Sequence, residues 1–211
     1  AAGVPLVLLK GQEADDVMAT LAVRAAEAGA TVRLATSDKD LMQLVDGRIR
    51  IVPPTKTDEE LGPDGVAAKT GVKPGQIVDW LALVGDTADN IPGINGVGPK
   101  TATKLLAQFG SLAACLAQAD RIEPEGLRAK VQAGRATAEL NVALMTLDKD
   151  VPGVPAWNEI AAPAPDAVRL QAFYEKYELH KLAAELAAEK PAAPAPKPAP
   201  KPAAGGQMNL F

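Results

Sequence analysis

The sequence is poor in the residues that brace secreted and membrane proteins. It has one cysteine, Cys115, so no disulfide framework can form, and a reducing cytosol is favoured. Cys115 lies in the alanine-rich run SLAACLAQ and reads as a small core residue on a helix. Aromatic side chains are scarce, with two Trp, two Tyr and three Phe in 211 residues. Alanine fills much of the remainder, a balance that suits a soluble, helix-rich globular protein. Trp80 reads as core and the single histidine, His180, as a surface residue on a helix. No apolar run approaches the roughly 20 residues of a membrane-spanning helix, and no basic stretch followed by an apolar one resembles a leader. Charge of one sign is also lacking: 22 basic against 26 acidic residues leave a net charge of −4. A nucleic-acid partner must therefore be argued from local features.

The local features begin at once. Val4–Leu9, in AAGVPLVLLKG, is a continuous apolar run bounded by glycine and proline, which reads as a buried strand of a parallel sheet. Chains seldom begin inside such a strand, so further sequence is expected upstream. EADDVMATLAVRAAEAG carries Val17, Leu21 and Ala25 at helical spacing, with Gly29 where a helix C-cap belongs. TVRLAT (31–36) reads as a second buried strand, SDKDLMQLV as a helix capped by Ser37, and RIRIV (48–52) as a third strand closed by Pro53 and Pro54. The alternation predicts an α/β fold with a parallel sheet. After Gly62 the strands give way to short helical segments: PDGVAAKTG, KPGQIVDWLALVG, PKTATKLLAQFG, SLAACLAQA, LRAKVQA and RATAELNVALMTL. A Pro/Ala-rich linker is expected around 151–166, then a last amphipathic helical stretch, DAVRLQAFYEKYELHKLAAELAAEK. From Lys190 to Gly206 only Lys, Pro, Ala and Gly occur, the composition of an extended, semi-rigid tether.

Acidic residues recur where such a fold places ligands, at the carboxyl ends of strands. The first strand leads to Glu13, Asp15 and Asp16, the second to Asp38 and Asp40, and the helix PGQIVDWLALVG to Asp86 and Asp89. Any one cluster is most simply a helix cap or dipole partner. Three converging on one edge would repel one another unless divalent cations sat among them. All-oxygen ligands select a hard ion, Mg²⁺ or Mn²⁺. Carboxylates that hold two such ions are the usual apparatus of phosphodiester cleavage.

Beside the third cluster stands GINGVGPKT. It nearly fits the phosphate-binding pattern G-x₄-G-K-[ST], but Pro99 intrudes before Lys100 and a helix, not a strand, precedes it. G-V-G followed by Pro99 describes instead a tight hairpin opening a helix. The amides of that helix start, with Lys100 and Lys104 on its first turns, could hold a nucleic-acid backbone without regard to sequence. An ordinary connector between helices is the bland alternative.

GQEADDVMATLA, TSDKDLMQLV and GDTADNIPGINGVGPKTATKLL together resemble the 5′-nuclease (flap endonuclease) superfamily, above all the N-terminal 5′→3′ exonuclease domain of bacterial DNA polymerase I. AFYEKYELHKL is similar to that domain's closing segment, so the resemblance covers residues 1–188. It implies a PIN-like parallel-sheet nuclease core, partial here, followed by a helical subdomain with a DNA-gripping helix–three-turn–helix. Glu13, Asp15 and Asp16 match the family's Glu-x-Asp-Asp motif, Asp38 with Asp40 its second acidic pair, and Asp86 with Asp89 its third. The resemblance makes these seven the metal ligands, with Asp15, Asp38, Asp40 and Asp86 the strongest catalytic candidates. It places Gly96, Val97, Gly98, Lys100, Thr101 and Lys104 against duplex DNA bearing a 5′ flap or nick, with a K⁺ ion at the hairpin. The family's first strand, further aspartates and helical arch have no counterpart, so this chain is expected to act poorly or not at all alone. A bacterial cytoplasmic, nucleoid-associated protein with roles in replication and repair is implied.

The organisation expected is thus 1–62 as part of the nuclease core, 63–188 as the helical subdomain with the helix–three-turn–helix at 85–109, 189–206 as linker, and 207–211 as a partner-binding peptide. That peptide, QMNLF, is similar to the short motifs by which bacterial replication proteins bind the sliding clamp. Gln207 would sit at the rim of the clamp's pocket, and Leu210 and Phe211 inside it. Three functions stand: a metal-dependent 5′-nuclease, a non-catalytic DNA-binding and clamp-tethering module, and, weakened by Pro99, a P-loop nucleotide hydrolase.

Overall fold

The computed structural model describes residues 3–56, 58–160 and 164–188. The described residues fall into two compact units, one within 5–160 and a second formed by 3–4 with 164–188.

In the larger unit, helix α1 (Ala14–Glu27) buries Val17, Ala19, Thr20, Ala22 and Ala25 along one stripe. Asp15 and Asp16 lie in its first turn, where carboxylates meet the positive end of the helix dipole. It closes where the sequence predicts. Gly29 adopts φ +93°, its N–H donates to the Ala26 carbonyl, and the Ala30 N–H donates to the Ala25 carbonyl, a closure that requires a left-handed residue. Strands β1 (Val32–Ala35) and β2 (Ile49–Val52) run parallel, with Val32 opposite Ile49 and Ala35 opposite Val52. Leu61 adds an antiparallel bridge to Ile51. The parallel α/β arrangement is present.

Several local expectations fail for identifiable reasons. Val4–Leu9 is not a strand, because no neighbour pairs with its backbone among the described residues. Its period of two survives: Val7 and Leu9 pack with Val17, Leu21, Val151 and Val154, while Val4, Leu6 and Leu8 are exposed. Strand β1 is half-buried rather than buried, with Leu34 alone fully inside. SDKDLMQLV forms a 3-10 helix over Asp40–Leu44 instead of an α-helix, and Ser37 does not cap it. The Asp38 N–H donates to Thr36 Oγ1 and the Asp40 N–H to Asp38 Oδ1, successive side-chain turns that displace the α-helical ladder. Part of the expected linker is core: Val151 and Val154 are buried, and Arg24 donates to the Val154 carbonyl at 3.1 Å and pairs with Asp150 at 2.8 Å.

The remaining helices of this unit surround an apolar centre. Helix α2 (Pro63–Thr70) ends at Gly71, φ +82°. Helix α3 (Ile77–Val84) buries Ile77, Trp80, Leu81, Ala82 and Leu83, almost its whole circumference, as a helix without a polar face must. A two-residue ribbon, β3 (Gly85–Asp86) with β4 (Ile91–Pro92), follows it. Then come α4 (Pro99–Phe109), α5 (Leu112–Ala117), α6 (Glu125–Ala133) and α7 (Arg135–Met145), with α3 packed against both α4 and α7. Ser111 caps α5 through the Ala114 N–H. One hydrophobic cluster runs from Ala19 to Met145, and Trp80 and Cys115 are core as expected. The buried Asn141 side chain donates to the Ala82 and Pro92 carbonyls at 3.1 and 2.8 Å, tying α7 to both α3 and the ribbon.

In the smaller unit the predicted C-terminal helical stretch is two helices, α8 (Ala167–Lys176) and α9 (His180–Ala188), broken at Glu178, which adopts φ +55°. His180 is exposed at the start of α9. Among the described residues no helix is long and apolar enough to cross a membrane. The linker 189–206 and the peptide carrying Gln207, Leu210 and Phe211 lie outside the described residues.

Candidate functional site

Three segments distant in sequence meet at the carboxyl end of the parallel pair. The first turn of α1 brings Asp15 and Asp16, the turns after β1 bring Asp38 and Asp40, and the ribbon after α3 brings Asp86 and Asp89. Their mutual influence shows in their acidities. Burial pushes the Asp40 carboxyl up to about 6, and the charges of Asp38, Asp86, Asp89 and Asp15 push in the same direction. Asp15 is also raised, by burial first and then by Asp38, Glu13, Asp16 and Asp89. The predicted acidic residues therefore share one electrostatic neighbourhood.

They do not stand alike within it. One oxygen of Asp40, Oδ1, is buried with no hydrogen-bond partner. Such an orphaned acceptor is costly unless something outside the chain satisfies it. Asp16 already has work: its Oδ1 accepts the Asp148 N–H at 2.9 Å, and Thr20 Oγ1 accepts the Val151 N–H at 3.1 Å, so this side of α1 pins the 148–154 segment. Asp86 is almost wholly buried at 4% exposure. Its Oδ1 accepts the Ala88 N–H at 2.8 Å and its Oδ2 takes the Lys39 ammonium at 2.6 Å. That Lys39 hydrogen bond, against the opposing effect of burial, holds Asp86 below the usual carboxylate range. Among the described residues, no three Asp, Glu, His or Cys side chains converge closely enough to hold an ion as they stand.

The hairpin is built differently. Gly85, at φ +80° at the start of the ribbon, and Gly93, just after its end, lie so close that a methyl on either would strike the other's backbone neighbourhood. Ile94 and Val97 turn into the core, with the Ile94 N–H on the Leu83 carbonyl and the Val97 N–H on the Ile94 carbonyl. Val97, expected at the nucleic-acid surface, thus anchors the turn from within. Gly96 adopts φ +75°, and a methyl there would lie 2.5 Å from the Lys130 ammonium. Gly98 precedes α4 with Pro99 at its first position, as predicted, and a methyl on Gly98 would touch nothing within 4 Å. No internal steric clash requires glycine at 98, which stands at the N-cap of α4, a position glycine favours. Lys100 and Lys104 are exposed and Thr101 half-buried. Helix α4 is clamped at both ends: Trp80 Nε1 donates to the Pro99 carbonyl and Thr103 Oγ1, and Gln76 donates to the Gly110 carbonyl.

Two residues escape the sequence reading. Lys39 was visible between Asp38 and Asp40, but nothing in the string pairs it with Asp86, 47 positions on. Lys130, on α6, carries no signal linking it to Gly96; only the fold brings them together.

Comparison with known proteins gives a consistent result. Residues 1–71 match the family model for the 5′-3′ exonuclease N-terminal, resolvase-like domain, and residues 72–168 match that for the 5′-3′ exonuclease C-terminal SAM fold. The chain is 41% identical over 176 residues to the thermostable DNA polymerase I of Thermus thermophilus, covering 83% of this chain and 20% of that protein. It is 38% identical over 185 residues to a 5′-3′ exonuclease of Aquifex aeolicus, covering 88% of this chain and 62% of that protein. It therefore spans about one fifth of the polymerase and under two thirds of the exonuclease. In fold it is similar to T5 5′-exonuclease with bound zinc, at a TM-score of 0.63 and 23% identity over 68% of this chain and 53% of that one. It is also similar to the catalytic core of Rad2 in complex with DNA substrate, at a TM-score of 0.56 and 17% identity over 88% of this chain and 64% of that one.

Proposed function

Because the chain belongs to the 5′-3′ exonuclease family, matched across residues 1–168, we propose that its acidic edge is the metal-dependent site of a structure-specific 5′-nuclease acting on DNA as part of a DNA polymerase I. The observation that carries this reading is the meeting of carboxylates from three distant segments, with Asp40 Oδ1 left buried and unpartnered. Burial raises Asp40 and Asp15, and neighbouring carboxylates raise them further. A hard divalent cation would relieve each of these strains, and the donor set, all oxygen, fits Mg²⁺ or Mn²⁺. Asp15, Asp38, Asp40 and Asp86 would hold the ions, with Glu13 and Asp89 at the margin and Asp16 mainly bracing the Asp148 backbone. When bound, two such ions supply an activated water and neutralise charge on a phosphate. The zinc bound to T5 5′-exonuclease and the DNA bound to Rad2 agree with this assignment.

The chain's own residues supply grip and orientation. The start of α4, Gly96, Gly98, Lys100, Thr101 and Lys104 hold backbone phosphate of a flapped or nicked duplex, and the hairpin is the place for a K⁺ ion. Residues 1–62 then form part of the nuclease core, 63–188 the DNA-binding helical part, and 189–206 a tether. Gln207, Leu210 and Phe211 dock on a bacterial sliding clamp, consistent with a nucleoid-associated role in the cytoplasm during primer removal and repair. The test is Mg²⁺-dependent cleavage of a 5′-flapped duplex. Cutting by the full-length protein carrying this chain that Asp40→Asn abolishes supports the assignment; metal-independent cutting, or cutting undiminished by Asp40→Asn, overturns it.

A further inference from the structure

We infer that Lys39 is a displaceable counter-ion that occupies Asp86 until a divalent cation takes its place, and so sets how tightly that cation binds. This inference rests on the proposed metal site and adds to it a positioning residue. Both oxygens of Asp86 are engaged: Oδ1 accepts the Ala88 N–H at 2.8 Å and Oδ2 lies 2.6 Å from the Lys39 ammonium. A backbone N–H leaves lone pairs free on a carboxylate. A positive charge at 2.6 Å does not admit a second cation on the same oxygen without strong repulsion. Asp86 can therefore ligate through Oδ2 only when Lys39 leaves.

The geometry also provides for the leaving. Asp86 is fixed, with its side chain 5% exposed, whereas that of Lys39 is 47% exposed and has water to swing into. The Lys39 backbone need not move, since the Met42 N–H holds its carbonyl at the start of the 3-10 helix. Nor is Lys39 a general neutraliser of the edge. It leaves Asp40 Oδ1 unpartnered although Asp40 is its sequence neighbour. Its ammonium has chosen one carboxylate, and that choice makes the competition specific to Asp86. In the metal-free protein this pair keeps a buried charge compensated, which an uncompensated Asp86 would pay for in stability.

The experiment is calorimetric titration of the chain with Mn²⁺, in the native sequence and in Lys39→Met and Lys39→Gln. Removal of the competitor is expected to tighten binding by about fivefold, the scale of a half-exposed ion pair. Lys39→Arg, which keeps the charge, is expected to bind no more tightly than the native chain. In an Asp86→Asn background, Lys39→Met should leave the residual affinity unchanged. Melting in chelator should be lower for Lys39→Met than for the native chain, and the gap should close in saturating Mn²⁺. Unchanged or weaker Mn²⁺ binding in both Lys39→Met and Lys39→Gln overturns the counter-ion role while leaving the metal site standing. Absence of Mn²⁺ binding by the native chain removes the metal site, and this inference with it.

Discussion

The acidic edge and the glycine hairpin lie side by side in the chain, joined at Gly85 and Asp86, yet they are built on opposite principles. The hairpin is contiguous and satisfied: its turn is fixed by backbone hydrogen bonds from Ile94 and Val97, and two of its glycines are dictated by positive φ. The edge is discontinuous and unsatisfied. Its carboxylates come from α1, from the turns after β1 and from the ribbon, and one of their oxygens has no partner. The difference teaches how each element meets a phosphate. On the proposed function, the hairpin would present fixed amides and lysines directly, whereas the edge would repel anions until cations intervened.

The comparison breaks most sharply where the two regions join. A methyl on Gly93 would fall on the Val84 carbonyl, which is backbone and cannot turn aside. Gly93→Ala is expected to destabilise the protein by about 3 kcal/mol or more, read from thermal or urea unfolding. Gly98 is the contrasting case, since a methyl there meets nothing within 4 Å. Gly98→Val should keep a cooperative fold, with a modest loss at the N-cap of α4, and, if the hairpin holds duplex as proposed, lose about tenfold in duplex affinity by fluorescence anisotropy, about 1.4 kcal/mol. The loss should be equal across unrelated sequences. Normal binding by Gly98→Val would make the hairpin a connector and nothing more.

The same contrast explains what could be read from the sequence. The hairpin was legible almost whole because its determinants are local: Gly98 and Pro99 open α4 as their conformational preferences require. The Gly29 closure was legible for the same reason. For the edge, the identities of Asp38, Asp40 and Asp86 were legible but their states were not. That Asp40 is orphaned and Asp86 paired to Lys39 depends on packing between segments 47 residues apart. The errors share this cause. Val4–Leu9 has a strand's composition, but strands need partners, and none pairs with it among the described residues. Thr36 and Asp38 outbid the α-helical ladder with their own side chains, which a hydrophobic period does not register. Val151 and Val154 were hidden by the proline and alanine around them, although α1 needed apolar partners there.

Smaller effects sharpen the electrostatic side. Folding raises the Asp40 carboxyl from 3.8 to about 6, so between those values the folded state holds a proton that the unfolded chain has released. The stability this contributes is fully present below pH 3.8 and is lost as pH rises through 6. Asp40→Asn, which cannot ionise, should therefore melt above the native chain at pH 7 to 8 in chelator, by about 1 kcal/mol after screening at this half-exposed site. The difference should vanish near pH 4; a difference independent of pH would exclude the charge as its cause. Lys100→Ala is the mildest change. If Lys100 holds a phosphate as proposed, its loss should weaken duplex binding about threefold and lower the dependence of log affinity on log salt by about one.

Asp38 and Asp86, brought together only by the fold, are proposed to serve one cation site. Calorimetric titration with Mn²⁺ addresses it directly by comparing the native chain with the double variant Asp38→Asn, Asp86→Asn. Saturable binding by the native chain is expected, with no measurable heat from the variant while its melting transition remains cooperative. Equal binding by the two proteins would contradict it.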